Sequence, residues 1–206
     1  MGIKILRLED TDISVEQLHL FIISVFKERL EQGLNFKIAT STLQGFESYL
    51  ANNDSYTFVA LDPDDGTLLG TSTLVLRKRK RREYGHHGLW AVKTQGLGIG
   101  TLLVKRELEF AKERRINYVE SDTAEDAISS VRAHYKCGFH RAGYYSFSFT
   151  NYYSLYFRQI CSDSQIKRFV YHYVFYPVRF GVYYLRTKLL YNKDGSLSVF
   201  GKGKKR

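Results

Sequence analysis

The sequence predicts an α+β domain over residues 1–157, followed by a basic, aromatic helical extension over residues 158–206. Three observations carry that prediction. Ser-x-x-Gln boxes that open helices precede alternating apolar segments that read as strands, so both element types share one chain. A strand-like segment then passes through a glycine cluster straight into a helical apolar stripe. The charge balance changes abruptly near Phe157: residues 1–157 hold 20 Lys/Arg against 19 Asp/Glu, and residues 158–206 hold 11 against 2. With 44% hydrophobic residues and only two prolines in 206, the chain can bury a core of its own.

The elements follow in order. Ile3–Leu8 alternates as a strand. Ser14 and Gln17 form a capping box for a helix with Leu18, Phe21, Ile22 and Val25 on one face, stopped by Gly33. Ser41 and Gln44 open a shorter helix with Leu43, Phe46 and Leu50 inward, ending near Asn52 and Asn53. Tyr56–Leu61 and Thr67–Leu76 flank Asp62-Pro-Asp-Asp-Gly66, a composition that suits a tight reversal, so the two runs predict a hairpin. The basic run Arg77–Arg82 and a turn-like Glu83-Tyr-Gly85 lead into a strand, Gly88–Val92. Alternation along the basic run puts Arg77, Arg79 and Arg81 on one face and Lys78, Lys80 and Arg82 on the other. It suits either an acidic substrate or an edge hairpin protected by charge.

Gln95-Gly-Leu-Gly-Ile-Gly100 then enters a helix striped by Leu103, Val104, Leu108, Phe110 and Ala111. Glycines at such a junction let a ligand approach the backbone, and the unpaired amides of the first helical turn attract phosphate. The surroundings exclude two common phosphate sites. The loop follows a hairpin rather than the first strand of an alternating parallel sheet, and no Gly-Lys-Ser/Thr ending is present. Downstream come a strand at Tyr118–Ser121, a helix from about Asp126, and a stop at Gly138-Phe139.

The order of these motifs resembles the GNAT superfamily of N-acetyltransferases. Gln95, Gly98 and Gly100 match its Gln/Arg-x-x-Gly-x-Gly/Ala signature, and the later helix ends close to its Tyr-x-x-x-Gly-Phe pattern. The resemblance covers about residues 3–149. It implies a mixed, mostly antiparallel central sheet flanked by helices, and acetyl-coenzyme A as the acyl donor, with no metal. Val92, Gln95, Gly96, Leu97, Gly98, Ile99, Gly100 and Thr101 would line the coenzyme site. Acetyl transfer to an amine needs a base for the ammonium proton and an acid for the thiolate. At the register of the family's acid tyrosine this chain has His134, with Tyr135 one place later. Either could serve, and Tyr135 is favoured because a phenol stays protonated at neutral pH. His86 is the candidate base, with His87 on the opposite side of the strand, and Glu120 and Asp122 are alternatives on the next strand. The segment between Val92 and Gln95 is about two residues shorter than is common in the family.

In the extension, Val170, Val174, Val178, Val182, Leu185 and Leu189 recur at helical spacing, and His172, Arg179, Arg186 and Lys193 recur every seven residues as a basic stripe. Pro177 is expected to bend or split the helix into residues 165–176 and 177–191. So apolar a face beside tyrosines and cations suits a membrane interface, the acetyltransferase body or a second subunit in a homodimer. The basic end, Phe200–Arg206, would be attracted to anionic lipid.

Composition narrows the function further. The start is too polar for a secretory signal, and no apolar run reaches the roughly 20 residues needed to span a bilayer, so a cytoplasmic chain, peripheral at the inner membrane face, is expected. Cys137 and Cys161 lack the spacing of a zinc site and read as buried apolar residues. The balanced body lacks the basic face of a nucleic-acid binder. The expected function is transfer of an acetyl group from acetyl-coenzyme A to the primary amine of a small molecule. The alternatives are a catalytically silent binding module on the same fold, or a membrane-surface acyltransferase using a longer chain.

Overall fold

A computed structural model describes residues 2–32, 40–51, 54–79, 82–146, 153–161 and 164–191. Strand β1 (Lys4–Arg7) leads through a short 3-10 turn to helix α1 (Val15–Glu31). The predicted capping box closes reciprocally: Gln17 N–H donates to Ser14 Oγ, and Ser14 N–H donates to Gln17 Oε1. Helix α2 (Leu43–Ala51) buries Phe46. The stops expected at Gly33 and Asn52–Asn53 lie outside the described residues.

Strands β2 (Asp54–Leu61) and β3 (Leu68–Arg79) form the predicted hairpin. Gly66 takes φ 72° there, and its N–H donates to Asp62 O at 3.0 Å. Strand β4 (Arg82–Val92) begins earlier than the sequence suggests. Glu83, Tyr84 and Gly85, expected as a turn, pair instead with Lys78, Arg77 and Leu76 of β3. Gly85 answers a packing demand, because a Cβ there would stand 2.6 Å from Leu74 Cδ1. The basic run therefore spans the far ends of two paired strands, with Lys78 bridged to Glu83 at 3.3 Å. Lys80 and Arg81 lie outside the described residues, and with them the predicted alternation of that run.

Helix α3 (Ile99–Glu113), β5 (Tyr118–Ala124), α4 (Ile128–Lys136), β6 (His140–Ser146) and β7 (Tyr153–Ile160) complete the body. The seven strands lie in the order β1-β2-β3-β4-β5-β7-β6, and every pairing is antiparallel except β4 with β5. The mixed, mostly antiparallel sheet expected of the chain is thus present. On one face α3 packs Leu103, Val104, Leu108 and Ala111 onto Phe58, Leu74 and Val119, while the other face seats Leu18, Ile22 and Phe46 against Val59 and Ala91. Each fully buried side chain of this kind contributes about 1.5–3 kcal/mol.

The extension begins with α5 (Gln165–Val170), passes through a π turn (Tyr171–Phe175) and ends as α6 (Tyr176–Leu190). Pro177 sits in the first turn of α6, directly after the π turn. It does not break the rod. Val170, Phe175 and Tyr176 all keep right-handed helical angles, and the wider π turn absorbs the proline's clash with the preceding carbonyl. One side of α6 packs on β6: Thr187 Oγ1 donates to Tyr144 O at 2.8 Å, and Tyr176 is buried with Ala142 and Ile160. His172, expected in the exposed basic stripe, is buried and stacks on His140 at 4.0 Å; the π turn carries it inward. Lys193 and the basic end lie outside the described residues.

Candidate functional site

The site begins where the parallel pair, β4 with β5, comes apart. Strands β4 and β5 are bonded at Gly85–Val119, His86–Glu120 and His87–Ser121 and at no later position. The cause lies on the other edge of β4. Thr71 pairs with Ala91 and Thr73 with Gly88, so β4 carries an extra residue in a bulge where Leu89 adopts φ 48°. A bulge bends its strand and increases its twist, which turns the end of β4 away from β5.

Beyond that gap the chain enters the glycine loop. Gly96 has φ 89° and Gly98 φ 78°, and a Cβ at either would meet nothing within 4 Å, so the turn itself rather than crowding requires glycine. Gly98 caps α3 without any side-chain bond, and the first amide bonded within the helix is Leu102 N–H to Gly98 O at 3.0 Å. The N–H groups of Ile99, Gly100 and Thr101 therefore have no helical acceptor, at the positive end of the helix dipole. Gln95, Gly96, Leu97 and Gly98 are exposed, and Val92, Gly100 and Thr101 are half-buried, while the Ile99 side chain anchors the turn in the core. Gly100 has a different reason from its neighbours. A Cβ there would lie 2.8 Å from Trp90 Cζ2, so the glycine admits the indole beneath the helix start.

Four side chains line the α3–α4 side of the gap. His87 and Trp90 project from β4, Ser121 from β5 and His134 from α4, with the His134 ring 5.2 Å from Trp90 and 5.8 Å from His87. His134 Nδ1 donates to Ser130 O at 2.8 Å, which leaves Nε2 to accept the Ser121 hydroxyl at 2.9 Å. Burial, with the nearby His87 charge, pushes the His134 pKa down to about 3, so the ring is neutral at pH 7. His87 Nδ1 lies 2.5 Å from Glu107 Oε2, and both residues are fully buried. Tyr135, one residue on, faces elsewhere: its ring meets Phe157 of β7 and lies under the Arg141 guanidinium of β6. Adjacent helical residues point about 100° apart, and this geometry gives the place at the gap to His134 rather than to the favoured Tyr135.

The opposite face of the same strands carries the remaining candidates. His86 Nε2 is 3.9 Å from Asp122 Oδ1. Burial, then the charges of Arg77 and His87, push the His86 pKa down to about 3. Asp122 keeps 39% of its side-chain surface open, yet its carboxyl sits deep enough for its pKa to rise, with Glu120 adding to the effect. Glu120 is already engaged, since Arg158 Nη2 donates to its Oε2 at 3.2 Å. Cys137 and Cys161 are free, buried thiols raised to about 11 by burial.

Residues 22–139 match the model of the acetyltransferase (GNAT) family, more than half of the chain. The chain belongs to the GNAT acetyltransferase family. No curated protein matches its sequence. Its fold is similar to that of a GNAT acetyltransferase from Staphylococcus aureus Mu50, at 17% identity and TM-score 0.61, covering 78% of this chain and 100% of the other. It is also similar to spermidine N-acetyltransferase from Vibrio cholerae, solved with CoA and spermine, at 16% identity and TM-score 0.59, covering 77% and 95%. A third is Arabidopsis thaliana NAA60, solved with a bisubstrate analogue, at 12% identity and TM-score 0.59, covering 77% and 98%.

Within this GNAT domain the sequence motifs meet at one place. The Gln95–Thr101 loop, His134, His86 and Glu120 all adjoin the end of the β4–β5 pairing, but Glu120 is held by Arg158 of β7, and Tyr135 turns away to Arg141 of β6. Sequence reasoning missed Trp90, Ser121 and the His87–Glu107 pair. One signal was present: Glu107 interrupts the apolar stripe of α3 at an inward position, which a charged residue occupies only with a buried partner.

Proposed function

We propose that this GNAT acetyltransferase takes its acetyl group from acetyl-coenzyme A and transfers it directly to a primary amine. The observation that carries the reading is the parting of β4 and β5 beside a glycine loop whose first-turn amides have no helical acceptor. Those residues fit the coenzyme: open backbone at Gly96 and Gly98 for the pyrophosphate, and a gap between strands for the pantetheine arm.

When bound, acetyl-coenzyme A supplies the activated acyl group. The protein's work is positioning and proton handling. Burial holds the His86 pKa at about 3, so the ring stays neutral at pH 7 but binds a proton too weakly to draw one from an ammonium; the acceptor therefore attacks from its neutral amine form, and Asp122 beside His86 favours a cationic acceptor on arrival. As nitrogen bonds to the acetyl carbon, the carbon–sulfur bond breaks without a protein-bound intermediate, and the proton that the attacking nitrogen sheds passes to the departing thiolate. His134, with both ring nitrogens engaged, fixes Ser121 and the wall of the gap. The Vibrio cholerae neighbour is named for spermidine, and the partly open Asp122 side chain suits such amines, so polyamines are the first acceptors to screen.

Calorimetric titration of the full chain with acetyl-coenzyme A tests the reading, beside Gly98→Glu, which puts a carboxylate into the loop. Micromolar binding that the variant abolishes while keeping the native circular dichroism is the expected result. Absence of binding by the folded native chain would overturn it. A binding module without turnover is the second reading, favoured because both ring nitrogens of His134 are engaged and the Tyr135 ring is turned to Phe157 and Arg141. It predicts coenzyme binding with no acetylation of any amine.

A further inference from the structure

Among the described residues, the outward side of the C-terminal helix is exposed. Val178, Val182, Leu185 and Leu189 fall at i, i+4, i+7 and i+11 of α6, directly opposite Tyr176 and Thr187, and each is more than half exposed. The strip continues through the π turn at Val174 and into α5 at Ile166, the most exposed of all. An α-helix drifts in phase over such a length, and the looser π winding at Tyr171–Phe175 compensates by holding Ile166 and Val174 on the outward side. Cations flank the strip. At 100° per residue, Arg179 and Arg186 stand on one side of it, while Lys188 on the other side is turned to Glu125 and the Tyr153 ring.

Charge selects among occupants. From Ser164 to Arg206 the sequence holds ten Lys/Arg and one acidic residue, Asp194, so this one segment carries nearly all of the formal +10. A second copy seated symmetrically on the strip would bring Arg179 and Arg186 close to their own equivalents, which like-charge repulsion opposes. An anionic bilayer surface reverses that sign. Apolar side chains enter the acyl boundary while the flanking arginines reach phosphates on long flexible stems. Among the described residues no helix is long and apolar enough to cross a membrane, which leaves a helix lying flat.

We infer that α5, the π turn and α6 form an interfacial helix that docks the acetyltransferase on an anionic lipid surface. One side is bolted to β6 through Thr187 and Tyr176, and the other is laid on the bilayer. The inference is independent of acetyl transfer and stands whether or not the coenzyme binds.

The test is co-sedimentation of the full chain with vesicles of phosphatidylcholine alone and of phosphatidylcholine containing about 30% phosphatidylserine. Binding to the anionic vesicles should exceed binding to the neutral ones by about tenfold. Val182→Glu/Leu185→Glu should lose at least about tenfold on the anionic vesicles, because a carboxylate must not enter the acyl boundary. Both positions are exposed, so the variant should melt as the native chain does. Arg186→Glu, also exposed, should weaken only the salt-sensitive, anionic component. The inference falls if the native chain stays in the supernatant or if Val182→Glu/Leu185→Glu sediments like the native chain. It falls equally if the lipid-free chain is a dimer that this variant converts to monomer, which would assign the strip to a second copy.

Discussion

Replacing His87 by leucine tests the electrostatics of the gap. His87 and Glu107 are fully buried and bonded at 2.5 Å, so removing the imidazole strands a carboxylate in the core. Breaking a buried pair from one side costs about 3–5 kcal/mol. For a domain of this size that is about 6–20 °C in melting temperature. The pair itself is not a net asset, since His87 Nε2 and Glu107 Oε1 find no hydrogen-bond partner among the described residues and each orphan costs about 1–3 kcal/mol. His87→Leu/Glu107→Leu removes both orphans together with the pair and should return to within about 1 kcal/mol of the native chain or exceed it. Urea unfolding followed by circular dichroism, with equal m-values checked across the set, supplies the numbers. A single variant costing less than about 1 kcal/mol, or a double variant no more stable than the single, would refute the reasoning.

Acid should unfold the protein through its histidines. His134 and His86 are held down to about 3 and His172 to about 4, in each case mainly by burial. The unfolded chain therefore binds more protons below the ordinary histidine value. Their contribution is complete above about pH 6.5 and is lost as pH falls from there towards 3, at about 1.4 kcal/mol per pH unit for His134 alone. Melting temperatures flat across that window would contradict this. Gly100→Ala and Gly98→Ala should differ in kind. At Gly100 crowding against Trp90 costs about 1–3 kcal/mol and the helix preference of alanine returns about 1, with a shift in the emission of Trp90, the sole tryptophan. At Gly98 the left-handed angle costs about 1–2 kcal/mol with emission unchanged. Equal emission shifts would show that the indole does not set the Gly100 requirement.

Local patterns were the most legible part of the sequence. The Ser14–Gln17 box, the Gly66 reversal and the stripe of α3 each depend on contacts within a few residues, so spacing alone reported them. Gly85 was misread as a turn because glycine serves equally where a neighbouring strand presses close, and only the position of Leu74 tells the two uses apart. The π turn was likewise hidden. A proline announces that a helical bond is missing, but not whether the chain will break or wind more loosely to accommodate it.

For the site, the sequence determined which chemistry is present: the open glycine loop, two histidines on alternate faces of β4, and a histidine–tyrosine pair where the family carries its tyrosine. It also determined the basic, acid-poor character of the extension. Tertiary structure decided which of these residues share a space. The Leu89 bulge parts β4 from β5, α4 packs with His134 rather than Tyr135 toward the gap, and Arg158 claims Glu120. Those outcomes turn on the register of strands distant in sequence and on the rotation of a helix about its axis. Such quantities are fixed by packing energies summed over many contacts, and no local pattern encodes them.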